Sequence, residues 1–127
     1  MKYLGIDFGS KRVGVAVSDD GGMMAFPKEV VINDGSLIEN IKKICEENKI
    51  EGIVVGDSRN FFGDKNTIMK KVEIFKEKLA EAVKLPIYMQ SEFFTSAEAE
   101  RLQGKNDMLD ASAAALILKH YLDSSVH

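Results

Sequence analysis

Acidic residues stand at the ends of the apolar runs of this chain, and their spacing could support chemistry. Asp7 directly follows a short apolar run, Asp57 ends another, and Glu92 follows a third. Ligand sites in α/β sheets tend to form beyond the carboxyl ends of parallel strands. If these three runs are parallel, adjacent strands, their three carboxylates approach one another at the same edge of the sheet.

Two further acids lie near the start of the last predicted helix. Asp107 and Asp110 are three residues apart, a spacing that puts both on one helix face. Gathered carboxylates repel unless cations or protons compensate, and clusters of oxygen ligands suit Mg²⁺ or Mn²⁺. Two such ions about 3.5–4 Å apart can clamp the attacking and leaving oxygens of a phosphodiester. The acids therefore indicate a two-metal site for phosphodiester hydrolysis.

Each acid also has a purely structural interpretation. Asp7 could simply end its strand, Asp57 could form a turn, and Glu92 could be a solvated loop acid. Asp107 could be a helix N-cap, and Asp110 a first-turn acid favoured by the helix dipole. We favour the functional role for Asp7 and Asp110 and the structural one for Asp57 and Asp107. Glu92 stays open on the residues alone.

Five strands are predicted to carry these acids. Short apolar runs indicate strands at 3–7, 13–17, within 24–32, at 50–55 and at 87–89. A hairpin-sized turn, Gly9 to Arg12, separates the first two, and Pro27 suggests an edge or irregular position for the third. Helical patterns follow the third and fourth strands. The order predicts an antiparallel meander extended by parallel strands in the same sheet.

Four helices are predicted between and after the later strands. Ser36 and Glu39 resemble a capping box that opens the first, and Thr95 opens a short helix that Gly104 ends. Apolar residues at helical spacing define the predicted buried faces. These are Leu37, Ile38, Ile41, Ile44 and Cys45 in the first helix, Ile68, Val72, Phe75, Leu79 and Ala82 in the second, and Leu109, Ala113, Leu116 and Ile117 in the last.

Length and composition fit one globular domain spanning 1–127. The chain has 127 residues, 45% hydrophobic and 29% charged, and no apolar run of the roughly 20 residues that a membrane span needs. We therefore expect a cytoplasmic protein. Cys45 is the single cysteine, so no disulfide can form within this sequence. We expect it to be a buried apolar residue. The net charge of −3 argues against strong non-specific binding to nucleic acid, so a polynucleotide would need a local basic patch.

Three segments resemble the YqgF family, which is Holliday-junction-resolvase-like. Residues 5–19 (GIDFGSKRVGVAVSD) look like its opening signature, and 92–101 (EFFTSAEAER) are similar to its second motif, DERLTTxEAER. Residues 110–118 (DASAAALIL) resemble its third motif, a helix that opens with Asp. The resemblance covers essentially the whole chain in the right order.

The resemblance implies a ribonuclease H-like fold, with a five-stranded mixed sheet of order 3-2-1-4-5 flanked by helices. It implies that Asp7, Glu92 and Asp110 are the catalytic metal ligands. The residues themselves indicate two Mg²⁺ or Mn²⁺ ions and add Asp57 and Asp107 as secondary candidates. The family's usual role is maturation of the 5′ end of precursor 16S rRNA. The expected partners are therefore structured RNA or branched DNA, an association with ribosome assembly, and no membrane. A monomer and a homodimer both remain open.

The chain departs from the family pattern near the second motif. Ser91 replaces the usual Asp and Phe93 the usual Arg, which removes a potential phosphate contact. Gly-Asp-Ser at 56–58 replaces the usual Gly-Leu-Pro and introduces the carboxylate of Asp57. Ser91 and Phe93 slightly favour a catalytically silent module that binds nucleic acid or assembling ribosomes, whereas Asp57 would supplement the site.

Basic residues near the acids could meet a phosphate backbone. The candidates for nucleic-acid binding are Lys11, Arg12, Arg59 and Arg101, although each could equally be ordinary solvated charge. A DNA resolvase is an alternative to the rRNA nuclease. A third class, the nucleotide-binding fold of actin, Hsp70 and sugar kinases, shares a turn like residues 7–10, but those proteins need two domains to enclose ATP. We expect no ATP binding.

Overall fold

The structure, a computed structural model, describes residues 1–9, 11–57, 65–91 and 109–124; the side chains at 57, 65–69, 91, 109 and 110 are outside that description. Five strands and three helices occupy the described chain. In chain order they are β1 (Tyr3–Phe8), β2 (Arg12–Ser18), β3 (Ala25–Ile32), α1 (Leu37–Asn48), β4 (Gly52–Asp57), α2 (Lys65–Val83), β5 (Ile87–Ser91) and α3 (Leu109–Ser124). The predicted short helix from Thr95 lies outside the described residues.

The five strands form one sheet in the order β3-β2-β1-β4-β5, as predicted. β1 pairs antiparallel with β2, which pairs antiparallel with β3, whereas β1–β4 and β4–β5 are parallel. The register between β2 and β3 shifts after Val15, so that Val15 pairs with Glu29 and Ala16 with Pro27. Pro27 thus occupies an edge strand beside an irregularity, where its missing N–H is tolerated.

The two faces of the sheet carry different helices. Leu4 and Ile6 of β1 belong to the larger buried cluster, which includes the apolar faces of α1 and α2. Gly5 of β1 pairs with Ala16 on one side and Val54 on the other, and both partners belong to the cluster under α3. Side chains alternate along a strand, so this second face of β1 carries the odd-numbered residues.

The start of α1 differs from the prediction. Ser36 makes no side-chain capping bond, and its φ of −96° and ψ of 1° lie outside the β region that an N-cap occupies. Instead Asp34 Oδ1 accepts a hydrogen bond from the Ser36 N–H at 2.9 Å, and the carbonyl of Asp34 accepts one from Leu37 N–H at 3.1 Å. The predicted capping box is therefore wrong, because Asp34 and not Ser36 supplies the hydrogen-bond acceptors of the turn before α1.

The buried face of α3 is broader than predicted. Ala113 and Ile117 are buried as expected, but Leu116 is only half-buried, and Ala114 and Leu118 are fully buried. The prediction was incomplete because α3 is apolar on most sides, so its periodicity does not mark one face. No helix in the described chain combines the length and apolar character needed to cross a membrane.

Candidate active site at the carboxyl edge of β1

Asp7 lies near the carboxyl end of β1, on the same face as Gly5 and therefore on the face that α3 covers. It is half-buried and takes part in an interaction within the chain. Its neighbour Ile6 points to the opposite face and is fully buried in the larger cluster. The packing of that cluster fixes β1, and the alternation of the strand then directs the Asp7 carboxylate toward α3.

Glycines flank Asp7 in the sheet. Asp7 pairs with Gly14 of β2. On the other side Ile6 pairs with Val55 of β4, so the same register continued by one residue places Gly56 beside Asp7. Both glycines are buried. Asp7 therefore has no side chain directly beside it on either neighbouring strand.

Gln90 of β5 lies in line with Gly14, Asp7 and Gly56 across the sheet. It was not identified from the sequence. Gln90 pairs with Gly56, so it shares a face with Asp7 and stands two strands away. It is half-buried and takes part in an interaction within the chain. Amide oxygens are accepted ligands of hard divalent cations. The place of Gln90 opposite Gly56 depends on the pairing of β4 and β5, which no local pattern in the sequence reveals.

α3 crosses β1 in very close contact. A Cβ atom on Gly5 would be 2.7 Å from the Cβ of Leu118 and 2.9 Å from the carbonyl oxygen of Ala114. Real Cβ atoms essentially never approach so closely, so the helix can lie here only because residue 5 has no side chain. Gly5 therefore sets the separation between β1 and α3.

The direction of α3 brings its first turn to the level of Asp7. The rings of Tyr3 and Tyr121 are 5.7 Å apart, whereas Gly5 meets residues 114 and 118, so α3 runs antiparallel to β1. Two strand residues advance by about 6.6 Å, a distance that takes about four to five residues of helix. The backbone opposite Asp7 is therefore the start of α3, which contains Asp110.

The ends of β4 and β5 lie side by side at this same edge. Asp57, the last residue of β4, pairs with Ser91, the last residue of β5. Glu92 follows Ser91 directly in the chain. β1, β4 and β5 are parallel neighbours, so the carboxyl ends of these three strands lie at one edge of the sheet, as predicted.

The turn after β1 is fastened by Asn33, a second residue that the sequence did not mark. Asn33 Nδ2 donates to the carbonyl oxygen of Gly9 at 2.7 Å, and the Asn33 N–H donates to the carbonyl oxygen of Lys11 at 2.9 Å. A Cβ on Gly9 would collide with the carbonyl oxygen of Arg12. These contacts hold the turn, with exposed Lys11 and Arg12, just beyond Asp7.

The remaining predicted site residues fall outside what can be described. Among the described side chains, no group of three acids, histidines or cysteines could hold a metal. The backbones of Asp57 and Asp110 are described but their side chains are not. The predicted site residues that lie wholly outside the described chain are Glu92, Asp107, Arg59 and Arg101.

Comparison with known sequences gives one consistent family. The RuvX family, described as Holliday junction resolvase, matches residues 1–124. The chain is 37% identical over 125 residues to "Putative pre-16S rRNA nuclease" of Nitratidesulfovibrio vulgaris, covering 97% of this chain and 84% of that protein. It is 34% identical over 135 residues to a protein of the same name from Thermoanaerobacter pseudethanolicus, covering 98% and 97% of the two chains.

Solved structures agree with the fold. RuvC of T. thermophilus, in complex with a Holliday junction substrate, superposes with a TM-score of 0.67 at 19% identity, covering 98% of this chain and 95% of that one. Fowlpox virus resolvase bound to Holliday junction DNA gives 0.60 at 10% identity, with both chains covered completely. These likenesses establish the ribonuclease H-like fold that the sequence resemblance implied. The family match over residues 1–124, with relatives 37% and 34% identical, shows that the chain belongs to the RuvX family.

Proposed function

We propose that this protein is a metal-dependent endonuclease that hydrolyses phosphodiester bonds, with the 5′ end of precursor 16S rRNA as its substrate. The observation that carries the proposal is the position of Asp7, which lies between two glycines of the sheet and level with the first turn of α3. The two relatives described above are both named as pre-16S rRNA nucleases, which supports the choice of substrate. We also propose that residues 1–127 act as one domain.

The donor set at this edge fits divalent metal ions. Asp7, Glu92 and Asp110 would hold Mg²⁺ or Mn²⁺, since carboxylate oxygens are the preferred ligands of these cations. Gly14 and Gly56 contribute no side chain that would compete with an ion for the carboxylate of Asp7. Two bound ions would supply an activated water and stabilise charge on the phosphate oxygens.

The protein's own residues position the strand to be cut. Lys11 and Arg12, in the turn held by Asn33, would bind phosphate oxygens next to Asp7, and an Arg guanidinium can do so with two parallel hydrogen bonds. Arg59 and Arg101 would extend this contact. The close packing of α3 on Gly5 fixes the position of the helix relative to β1 beneath the site.

Asp57 and Asp107 have supporting roles in this proposal. Position 57 alternates with Ile53 and Val55, which belong to the cluster on the face opposite Asp7. Gln90, which shares the row of Asp7, is the better candidate to orient a ligand there.

A DNA resolvase is the second candidate. The family description names Holliday junction resolvase, and the RuvC and fowlpox structures contain junction DNA. A catalytically silent binding module is the third, favoured by Ser91 and Phe93 at positions where the family pattern has Asp and Arg. The three differ in what is cleaved and in whether metal is needed.

The test is a cleavage assay with two substrates. Purified protein is incubated with a precursor 16S rRNA 5′ fragment and with a four-way DNA junction, each with Mg²⁺, Mn²⁺ or EDTA. The proposal predicts cleavage of the RNA only with metal, leaving 5′-phosphate and 3′-hydroxyl ends. Metal-dependent cleavage of the junction alone would establish the resolvase. Binding of either substrate without any cleavage would establish the silent module.

A further inference from the structure

A groove runs between the start of α1 and the middle of α2, on the face of the sheet opposite Asp7. It has a volume of about 390 Å³. Its apolar floor includes Phe8 and Phe75, whose rings are 4.8 Å apart at an angle of 38°. Phe8 is half-buried, and Ile74 at the rim is 53% exposed. Phe75 is only 4% exposed and supports the floor from below, so the accessible apolar surface is that of Phe8 and Ile74.

The groove and the candidate active site lie on opposite faces of the sheet but meet at the carboxyl end of β1. Phe8 follows Asp7 directly and points to the other face of β1, so the two side chains lie on either side of the same strand end. Asn33 lines the groove and also donates to the Gly9 carbonyl in the turn that carries Lys11. A strand bound at Asp7 could therefore pass over this edge into the groove.

Two lysines border the groove along α2. Lys71 and Lys78 are both exposed and stand seven residues apart, about 10 Å along the helix axis. The ion pairs identified in the described chain, Lys2–Asp20 and Lys119–Asp123, involve neither of them. The one acid of the lining, Asp34, turns an oxygen toward its own backbone, where it accepts the Ser36 N–H. The lining is thus positive on balance in a protein of net charge −3.

We propose that this groove binds an unpaired stretch of the substrate strand next to the site of cleavage. The phosphates of this strand contact Lys71 and Lys78, and its bases pack on the accessible surface of Phe8 and Ile74. Grooves that bind single-stranded nucleic acid combine a positive track for the backbone with aromatic surface for the bases, as here. The proposal rests on the proposed function, because it takes the strand that Asp7 would cut.

Binding can be measured without catalysis. The probe is a fluorescein-labelled oligouridylate, and its anisotropy is followed in EDTA at a series of salt concentrations for the whole protein. We expect the double variant Lys71→Ala/Lys78→Ala to bind more weakly. The slope of log Kd against log salt concentration should fall by about 1.4, about 0.7 for each lost phosphate contact to a single strand.

Lys70→Ala/Lys76→Ala is the matched control. It removes the same charge from the same helix, but neither residue lines the groove. Its salt slope should stay close to that of the unchanged protein. Equal weakening by the two double variants would overturn the proposal, because it would show a diffuse charge effect. Absence of oligouridylate binding at low salt would also overturn it. So would a change in sedimentation behaviour with Lys71→Ala/Lys78→Ala, since the groove would then be a contact between copies.

The same variants separate this proposal from the proposed function. If the protein cleaves RNA but both double variants behave alike, the groove is not a substrate site and the nuclease assignment stands. If it binds oligouridylate through Lys71 and Lys78 yet cleaves nothing, the groove is confirmed and the nuclease assignment fails. In an active enzyme, the groove variant should raise KM for RNA with single-stranded flanks and leave kcat unchanged.

Discussion

A side chain on Gly5 would occupy the same space as Leu118: a Cβ built on Gly5 lies 2.7 Å from the Cβ of Leu118. We therefore predict that Gly5→Ala pushes α3 away from β1 and lowers the free energy of unfolding by about 1–3 kcal/mol, the usual cost of overpacking. It should also reduce cleavage, since the first turn of α3 would shift relative to Asp7. Urea unfolding and the cleavage assay measure the two effects.

Gly35→Ala is the control for that variant. A Cβ on Gly35 would meet no atom within 4 Å, so the substitution should change stability by no more than about 0.5 kcal/mol. Equal stability of the two variants would contradict the assignment of Gly5 as the residue that sets the helix–strand distance.

Asn33 is predicted to matter for activity more than for stability. Asn33→Ala removes the hydrogen bond to the Gly9 carbonyl, at a cost of about 1 kcal/mol, and loosens the turn that carries Lys11 and Arg12. We expect kcat/KM for RNA to fall severalfold. Asn48→Ala is the matched control because it removes a comparable bond, from Nδ2 to the Ile44 carbonyl, far from this edge. Similar losses of activity in both variants would show that Asn33 acts only through stability.

Ser112 should be dispensable. Its hydroxyl is the one buried side-chain N or O atom without a hydrogen-bond partner that was found in the described chain. Removing an unsatisfied buried polar group can be neutral or stabilising, so Ser112→Ala should leave the free energy of unfolding unchanged or raise it by up to about 1 kcal/mol. Ser18→Ala should lower it, because Ser18 Oγ accepts from Tyr3 N–H and donates to the Asp19 carbonyl. A clear loss of stability in Ser112→Ala would contradict this prediction.

Because the Cys45 thiol is buried, we predict that the free energy of unfolding falls at alkaline pH. Burial, and to a smaller extent the charge of Glu46, raise the pKa of the Cys45 thiol from 9.0 to about 11. Above pH 9 the unfolded chain loses this proton while the folded chain keeps it, so the contribution to stability present below pH 9 is lost as the pH rises toward 11. Cys45→Ala should show a smaller decline over that window in urea unfolding. Parallel curves for the two proteins would contradict it.

The sheet could be predicted from the sequence because its strands are short apolar runs with clear boundaries. Pro27 marked the edge strand, and the change from strand runs to helical patterns marked the change from antiparallel to parallel pairing. The helix ends were harder to predict. Asp34 and Ser36 both suit a helix start, and only the backbone angles show which one shapes the turn.

The candidate site could be predicted only in part. Asp7 could be identified from the sequence because a carboxylate directly after a buried apolar run costs free energy, which indicates a functional role. Asn33 and Gln90 were missed because their positions depend on pairing between strands, which local patterns do not reveal. The approach of Gly5 to α3 likewise depends on tertiary packing, since a glycine in a strand has several possible explanations.

The central claim is that Asp7, Glu92 and Asp110 form one metal-dependent hydrolytic site. The most direct test is single-turnover cleavage of the precursor 16S rRNA fragment in Mg²⁺ by Asp7→Asn, Glu92→Gln and Asp110→Asn, with Asp20→Asn as the control. Asp20 is exposed in the turn after β2, where its carbonyl oxygen accepts from the amino group of Met1, at the opposite end of β1 from Asp7. We predict that each of the three variants loses cleavage while remaining folded, and that Asp20→Asn cleaves normally. Full cleavage by Asp7→Asn, or cleavage by the unchanged protein in EDTA, would contradict the account.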